Sequence, residues 1–170
     1  SLLLSLSPPP LLLELPLQPL VLSVSEFITD QETSHIQAES APHVAPSSVS
    51  LMDRDTGAPA TDFRTSKTYF LPSRDDILKN FDKRVANLTR VPVTHQEFMQ
   101  VLRYDKSGRY DQHLDFWDPK SYSDEGVISM IRGGYRNRMA TVFCYLSGAP
   151  DTIGGYTAFP LAFDHNDVAT

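Results

Sequence analysis

Apolar and polar residues alternate over several stretches of this chain and follow a helical period over another. "LVLSVSEFIT", from Leu20 to Thr29, alternates and is rich in β-branched residues, which predicts a strand. "TDQE" then supplies a capping box, with Thr29 as N-cap and Glu32 three positions on, and predicts a short helix ending before Pro42. Between Ser50 and Ser66, turn chemistry at Asp55-Thr56-Gly57 and at Pro59 predicts a long surface loop that leads into an extended "TYFLP". Ser73 with Asp76 opens a second helix, because Ile77, Leu78, Phe81, Val85 and Leu88 share a 3.6-residue period; it ends before Pro92. From there the pattern is that of strands. "FMQVLRY" and "YDQHLDFW" come first, a glycine-bearing excursion from Asp118 to Gly134 follows, and then "RMATVFCYL" and "IGGYTAFP". Helices first and strands after them predict a sheet-dominated α+β or barrel-like domain with the helices packed outside.

The first nineteen residues, "SLLLSLSPPPLLLELPLQP", change the picture at one end. They are rich in leucine but interrupted by Pro8, Pro9, Pro10, Pro16 and Pro19, and adjacent prolines cannot sit inside a membrane-spanning helix. The segment reads as a disordered leader, with the remnant of a targeting segment as the other reading. Residues 20–170 then form the folded part, and a first residue of serine suggests a piece of a longer product. With 170 residues the chain has room for one domain, burying about two-thirds of its unfolded surface. A net charge of −6 argues against a nucleic-acid binder, which wants a basic footprint. Cys144 is the sole cysteine, which rules out an internal disulfide and a cysteine-based zinc site; its apolar neighbours make it a core residue.

The candidate chemistry lies in "YDQHLDFW". On a strand, residues i and i+2 share a face, so His113 and Asp115 project together, away from Leu114. An imidazole beside a carboxylate can give two ligands to a divalent metal. A third ligand from elsewhere would complete the two-histidine, one-carboxylate triad of non-haem Fe(II) oxygenases. Taken alone, the tripeptide reads as a hydrogen-bonded surface pair rather than a metal site.

Its surroundings sharpen the reading. "QVLRYDKSGRYDQHLDFW" followed by "RMATVFCYLSGAPDTIGGYTAFP" resembles the catalytic region of prolyl 4-hydroxylase α-subunit-like Fe(II)/2-oxoglutarate dioxygenases. The motifs Y-x-x-H-x-D, R-x-A-T-x-x-x-Y-L and G-G-x-T-x-F-P stand in the family's order, and the similarity runs over about residues 20 to 161. The resemblance implies a double-stranded β-helix, a cupin-like jelly roll whose C-terminal strands are missing here. It implies Fe(II) held by His113 and Asp115, 2-oxoglutarate contacted by Tyr104 and Thr157, and ascorbate as a further cofactor. Tyr110, Arg138 and Trp117 would line a groove for a proline-containing peptide, and the loop from about Met52 to Thr65 would close over it. The implied reaction converts peptidyl proline to 4-hydroxyproline with decarboxylation of 2-oxoglutarate to succinate. The implied compartment is the endoplasmic reticulum, and nucleic acid is not an expected partner.

Each residue also has a plainer reading. Tyr104 and Tyr110 can be cross-strand aromatics, Arg138 the partner of a nearby carboxylate, and Thr157 an ordinary strand residue. The family's third iron ligand, a histidine, and its 2-oxoglutarate-binding lysine fall beyond G-G-x-T-x-F-P and have no counterpart here. His165 comes too early to replace the histidine, and Tyr156 stands where the family usually has glutamate. The chain is therefore expected to be an inactive piece of an enzyme. The alternatives are a catalytically dead peptide-binding module of the same fold and a dioxygenase acting on another substrate.

Overall fold

A computed structural model of the chain describes residues 12–17, 20–148, 154–160 and 162. They fall into two compact units, one of residues 31–147 and one joining residues 1–30 to residues 148–170.

In the smaller unit, strand β1 (Leu12–Leu17) pairs antiparallel with β2 (Leu20–Val24). β2 falls where alternation predicts a strand. β1 lies inside the segment expected to be a disordered leader: its leucines satisfy a ladder with β2, in which Leu12 faces Val24 and Leu17 faces Leu20. The rest of the expected leader, and His165 with its neighbours, lie outside the described residues.

The larger unit is α+β. Helix α1 (Asp30–Ser40) and helix α2 (Asp76–Thr89) accompany a small sheet, in the order β3 (Ala45–Pro46), β4 (Lys67–Leu71), β5 (Met99–Arg103). A short helix, α3 (Glu125–Met130), falls within the glycine-bearing excursion, where the sequence suggested only loop. The sheet is antiparallel throughout, with Tyr69 facing Val101 and Leu71 facing Met99. Alternation sends Leu71 and Val101 into the core, while Phe70 stays about half exposed on the other face. Pro46 fits where it is, because β3 is an edge strand and proline has no amide hydrogen for a ladder.

The core gathers Ile36 of α1, Leu78 and Phe81 of α2, Leu71 and Val101 of the sheet, and Val127 and Ile131 from the α3 region. α2 carries the expected apolar stripe, but its cap is not Ser73. The Asp75 carboxylate accepts the Leu78 amide at 3.0 Å and sits in extended backbone, as an N-cap must. Its other oxygen is 2.8 Å from His35 Nε2, which ties α1 to the start of α2. α1 has little apolar surface, and Arg84 of α2 completes the union by donating to both oxygens of the buried Glu32 at 2.8 Å.

Three expected strands are not found, among them the short one of "IGGYTAFP", whose residues 154–160 form no strand. Among the described residues, "YDQHLDFW" contributes only an isolated bridge, between Tyr110 and Arg64, and "RMATVFCYL" runs without regular structure. Alternation fixes which side chains share a face, but a strand also needs a neighbour to bond with. The described sheets, of three strands and of two, lack such a neighbour for these segments. Met139, Phe143 and Tyr145 of "RMATVFCYL" accordingly stand exposed.

Candidate metal and peptide site

The loop between β3 and β4 and the segment after β5 build the site together. β5 ends at Arg103, and Asp105 to Gly108 form a tight turn closed by the Gly108 amide on the Asp105 carbonyl at 2.8 Å. A Cβ at Gly108 would sit 2.8 Å from that carbonyl oxygen, so only glycine lets the chain turn here. The outgoing segment then zips against the loop. Thr65 N donates to Arg109 O at 2.9 Å, Arg109 N donates to Thr65 Oγ1 at 2.9 Å, and Asp111 N donates to Phe63 O at 2.8 Å.

This pairing places Tyr110 beside Arg64. The Arg64 guanidinium lies 4.4 Å from the Tyr110 ring centroid and is almost fully buried, donating through Nε to Ser66 Oγ at 2.7 Å. One of its terminal nitrogens has no hydrogen-bond partner among the described residues. Tyr110 in turn stacks on His113, with ring centroids 3.9 Å apart and 22° between planes. Burial raises the Tyr110 hydroxyl above its ordinary pKa.

His113 and Asp115 meet, although not on a strand. His113 Nε2 lies 3.3 Å from Asp115 Oδ1, and His113 Nδ1 is 2.8 Å from the Asp111 carbonyl. A carbonyl can only accept, so Nδ1 carries a hydrogen and Nε2 is the nitrogen left to face the carboxylate. Thr141 donates its hydroxyl to the other carboxylate oxygen, Oδ2. Asp115 is held down to about 2, first by the His113 hydrogen bond, then by Thr141 and the field of Arg138, against a burial effect of opposite sign. His113 is raised, mainly by the Asp115 hydrogen bond.

Arg138 is already engaged. Its Nε and a terminal nitrogen donate to the two oxygens of Glu97 at 2.6 and 2.9 Å, a bidentate pair. The same guanidinium lies 5.7 Å from the Trp117 ring centroid. Asn137 fixes that indole's backbone, accepting from Trp117 N at 2.9 Å and donating to Trp117 O at 2.7 Å. Tyr104, just past β5, is exposed. Thr157 is exposed and lies in the smaller unit.

Six of the seven candidate residues therefore lie in one unit, and Tyr110, His113, Asp115, Trp117 and Arg138 are linked through contacts and charge. Sequence reasoning missed Thr141, Arg64, Glu97 and Asn137. Thr141 sits inside a motif it singled out, "RMATVFCYL", and Arg64 inside the loop it placed between Ser50 and Ser66; nothing in the sequence marks Glu97.

The donor set is an imidazole nitrogen with its tautomer fixed and a carboxylate with one oxygen turned toward it. That chemistry fits Fe(II) as two of three protein donors. Among the described residues no third histidine, cysteine, aspartate or glutamate joins them.

What the site defines is a paired imidazole–carboxylate centre beside an aromatic and guanidinium surface. No family model matches the chain. Curated relatives do. The chain is 36% identical over 138 residues to Probable prolyl 4-hydroxylase 3 of Arabidopsis thaliana, an overlap of 80% of this chain and 44% of the relative. It is 34% identical over 136 residues to Prolyl 4-hydroxylase 2 of the same plant, covering 79% and 41%. With Prolyl 4-hydroxylase 5 it shares 32% over 146 residues, covering 85% and 46%. The chain is thus similar to prolyl 4-hydroxylases over about four-fifths of its own length, and it spans less than half the length of these curated relatives.

Proposed function

We propose that the protein is the metal-bearing part of an Fe(II)- and 2-oxoglutarate-dependent dioxygenase that hydroxylates peptidyl proline. The observation that carries this reading is the pairing of His113 Nε2 with Asp115 Oδ1 at 3.3 Å, with Nδ1 committed to the Asp111 carbonyl. His113 and Asp115 would hold the iron as two donors, and a third would have to come from outside the described residues. With 2-oxoglutarate and O₂, bound iron would supply the oxidising power for hydroxylation, leaving succinate and CO₂. Tyr104 and Thr157 are the groups we assign to 2-oxoglutarate, and ascorbate belongs to the same reading. Tyr110, Trp117 and Arg138 would orient a proline-containing peptide, the aromatic faces packing on the pyrrolidine ring. We place these elements in a jelly roll of which the β3–β4–β5 sheet is one part.

Two donors bind iron far more weakly than three, so the 170-residue chain by itself should turn over little or not at all. That same observation favours a second reading, a peptide-binding module that keeps the Tyr110–Trp117–Arg138 surface without chemistry. The test is succinate release from 2-oxoglutarate in the presence of a proline-rich peptide, run on the whole natural protein and on this chain. Peptide-stimulated release by the whole protein, lost in His113→Ala, is expected. Release that survives His113→Ala overturns the metal assignment, and peptide binding with no release by the whole protein favours the module.

A further inference from the structure

We infer that Thr141 is a positioning residue for the metal centre, holding Asp115 so that a single carboxylate oxygen is presented beside His113. This rests on the reading of His113 and Asp115 as metal donors and adds to it a residue that touches neither metal nor substrate.

The geometry is specific. A carboxylate has two equivalent oxygens, and free rotation would let either one, or both, meet a cation. Here the two are distinguished by their partners. Oδ2 accepts the Thr141 hydroxyl, and Oδ1 lies 3.3 Å from His113 Nε2. With Oδ2 committed, Oδ1 is the oxygen free to bind, and it binds alone. The imidazole is fixed in the matching way, because the Asp111 carbonyl takes Nδ1–H and leaves Nε2 toward the carboxylate. Each donor thus has its unused atom occupied by the protein, as outer partners of metal ligands commonly do.

Thr141 reaches Asp115 from 26 residues away, on a segment that forms no ladder among the described residues. The hydroxyl is therefore not explained as a strand residue meeting its cross-strand neighbour. Asp115 has no regular backbone to hold it either, since it sits in a bend. Without Thr141 the carboxylate would keep, among the described residues, only His113 as a hydrogen-bonding partner, and would be free to rotate or to close on a cation with both oxygens.

The experiment is a Co(II) titration of the whole natural protein that carries this chain, following both affinity and the d–d absorption that reports coordination. Thr141→Val is close in shape and lacks the hydroxyl, and Thr141→Ser restores it. The expected result is Co(II) affinity about 10-fold weaker in Thr141→Val, with an altered d–d spectrum, and recovery of both in Thr141→Ser. Circular dichroism of each variant separates this from unfolding, and a partly unfolded Thr141→Val is replaced by Thr141→Ala with the same expectation. Equal affinity and spectra in wild type and Thr141→Val overturn this inference while leaving the metal assignment standing. Failure of the wild-type whole protein to bind Co(II) in a His113-dependent way overturns both.

Discussion

Glu97 and Arg138 form a two-point ion pair, Nε to Oε1 at 2.6 Å and a terminal nitrogen to Oε2 at 2.9 Å, across 41 residues of sequence. The pair locks the guanidinium over Trp117 and sends its charge toward Asp115. The Arg138 hydrogen bond lowers the Glu97 pKa below its ordinary 4.5. A carboxylate depressed in the folded state adds stability above its unfolded pKa and loses it as pH falls through the folded value. Glu97→Gln is therefore expected to be less stable than wild type at pH 7, by no more than about 1 kcal/mol because the pair is half exposed. The difference should shrink as pH falls below 4.5 and through the depressed folded value, as urea unfolding over a series of pH values will show.

His113 and Asp115 make a pair with two boundaries. Asp115, depressed from 3.8 to about 2, adds stability that is fully present above its ordinary value and lost as pH falls. His113 is raised above 6.5, so its contribution is complete below that value and disappears as pH rises through the folded pKa. The stability lost in Asp115→Asn should accordingly be greatest between about pH 4 and 6.5 and should shrink on the alkaline side. An NMR titration of the His113 ring should show its pKa falling in the variant; an unchanged value would refute the pairing.

Asp75 serves two helices, capping α2 at Leu78 N and meeting His35 of α1. Asp75→Ala should lower the thermal midpoint. Asp75→Asn keeps an oxygen able to cap and should recover part of the loss. His35→Ala should cost Asp75→Ala proteins nothing further, a double-mutant cycle that isolates the inter-helix contact.

Ile36 is wholly enclosed and Leu78 nearly so, at 0% and 2% exposure. Ile36→Ala and Leu78→Ala should each destabilise by about 2–5 kcal/mol, with Leu88→Ala costing far less because that leucine is 38% exposed. Chemical denaturation of the three variants orders them directly.

Much of the architecture was legible because it is local. α2 announces itself by period, α1 by its opening residues, β2 and β5 by alternation, and the Ser50–Ser66 loop by turn chemistry. Where the reading failed, the missing quantity was a partner. Asp75 rather than Ser73 caps α2 because the closure depends on backbone angles and on His35, forty positions away. "RMATVFCYL" has the composition of a strand, but a ladder is a property of two segments. The candidate site divides the same way. His113 and Asp115 are two residues apart and could be seen together, yet they meet at a bend and not on a strand. Thr141 and Glu97 reach the site from 26 and 41 residues away, and spacing in sequence says nothing about them.

The zipper between residues 63–65 and 109–111 divides the preceding loop into parts with different evolutionary freedom. Around Gly57, where an added Cβ would meet nothing within 4 Å, the loop can lengthen, shorten or change composition without disturbing the histidine. From Asp62 onward, a one-residue insertion would shift the register of every bond to Arg109 and Asp111 and turn Tyr110, with the imidazole stacked on it, to a new orientation. Grafted loops intended to change what this surface recognises should therefore be spliced before Asp62.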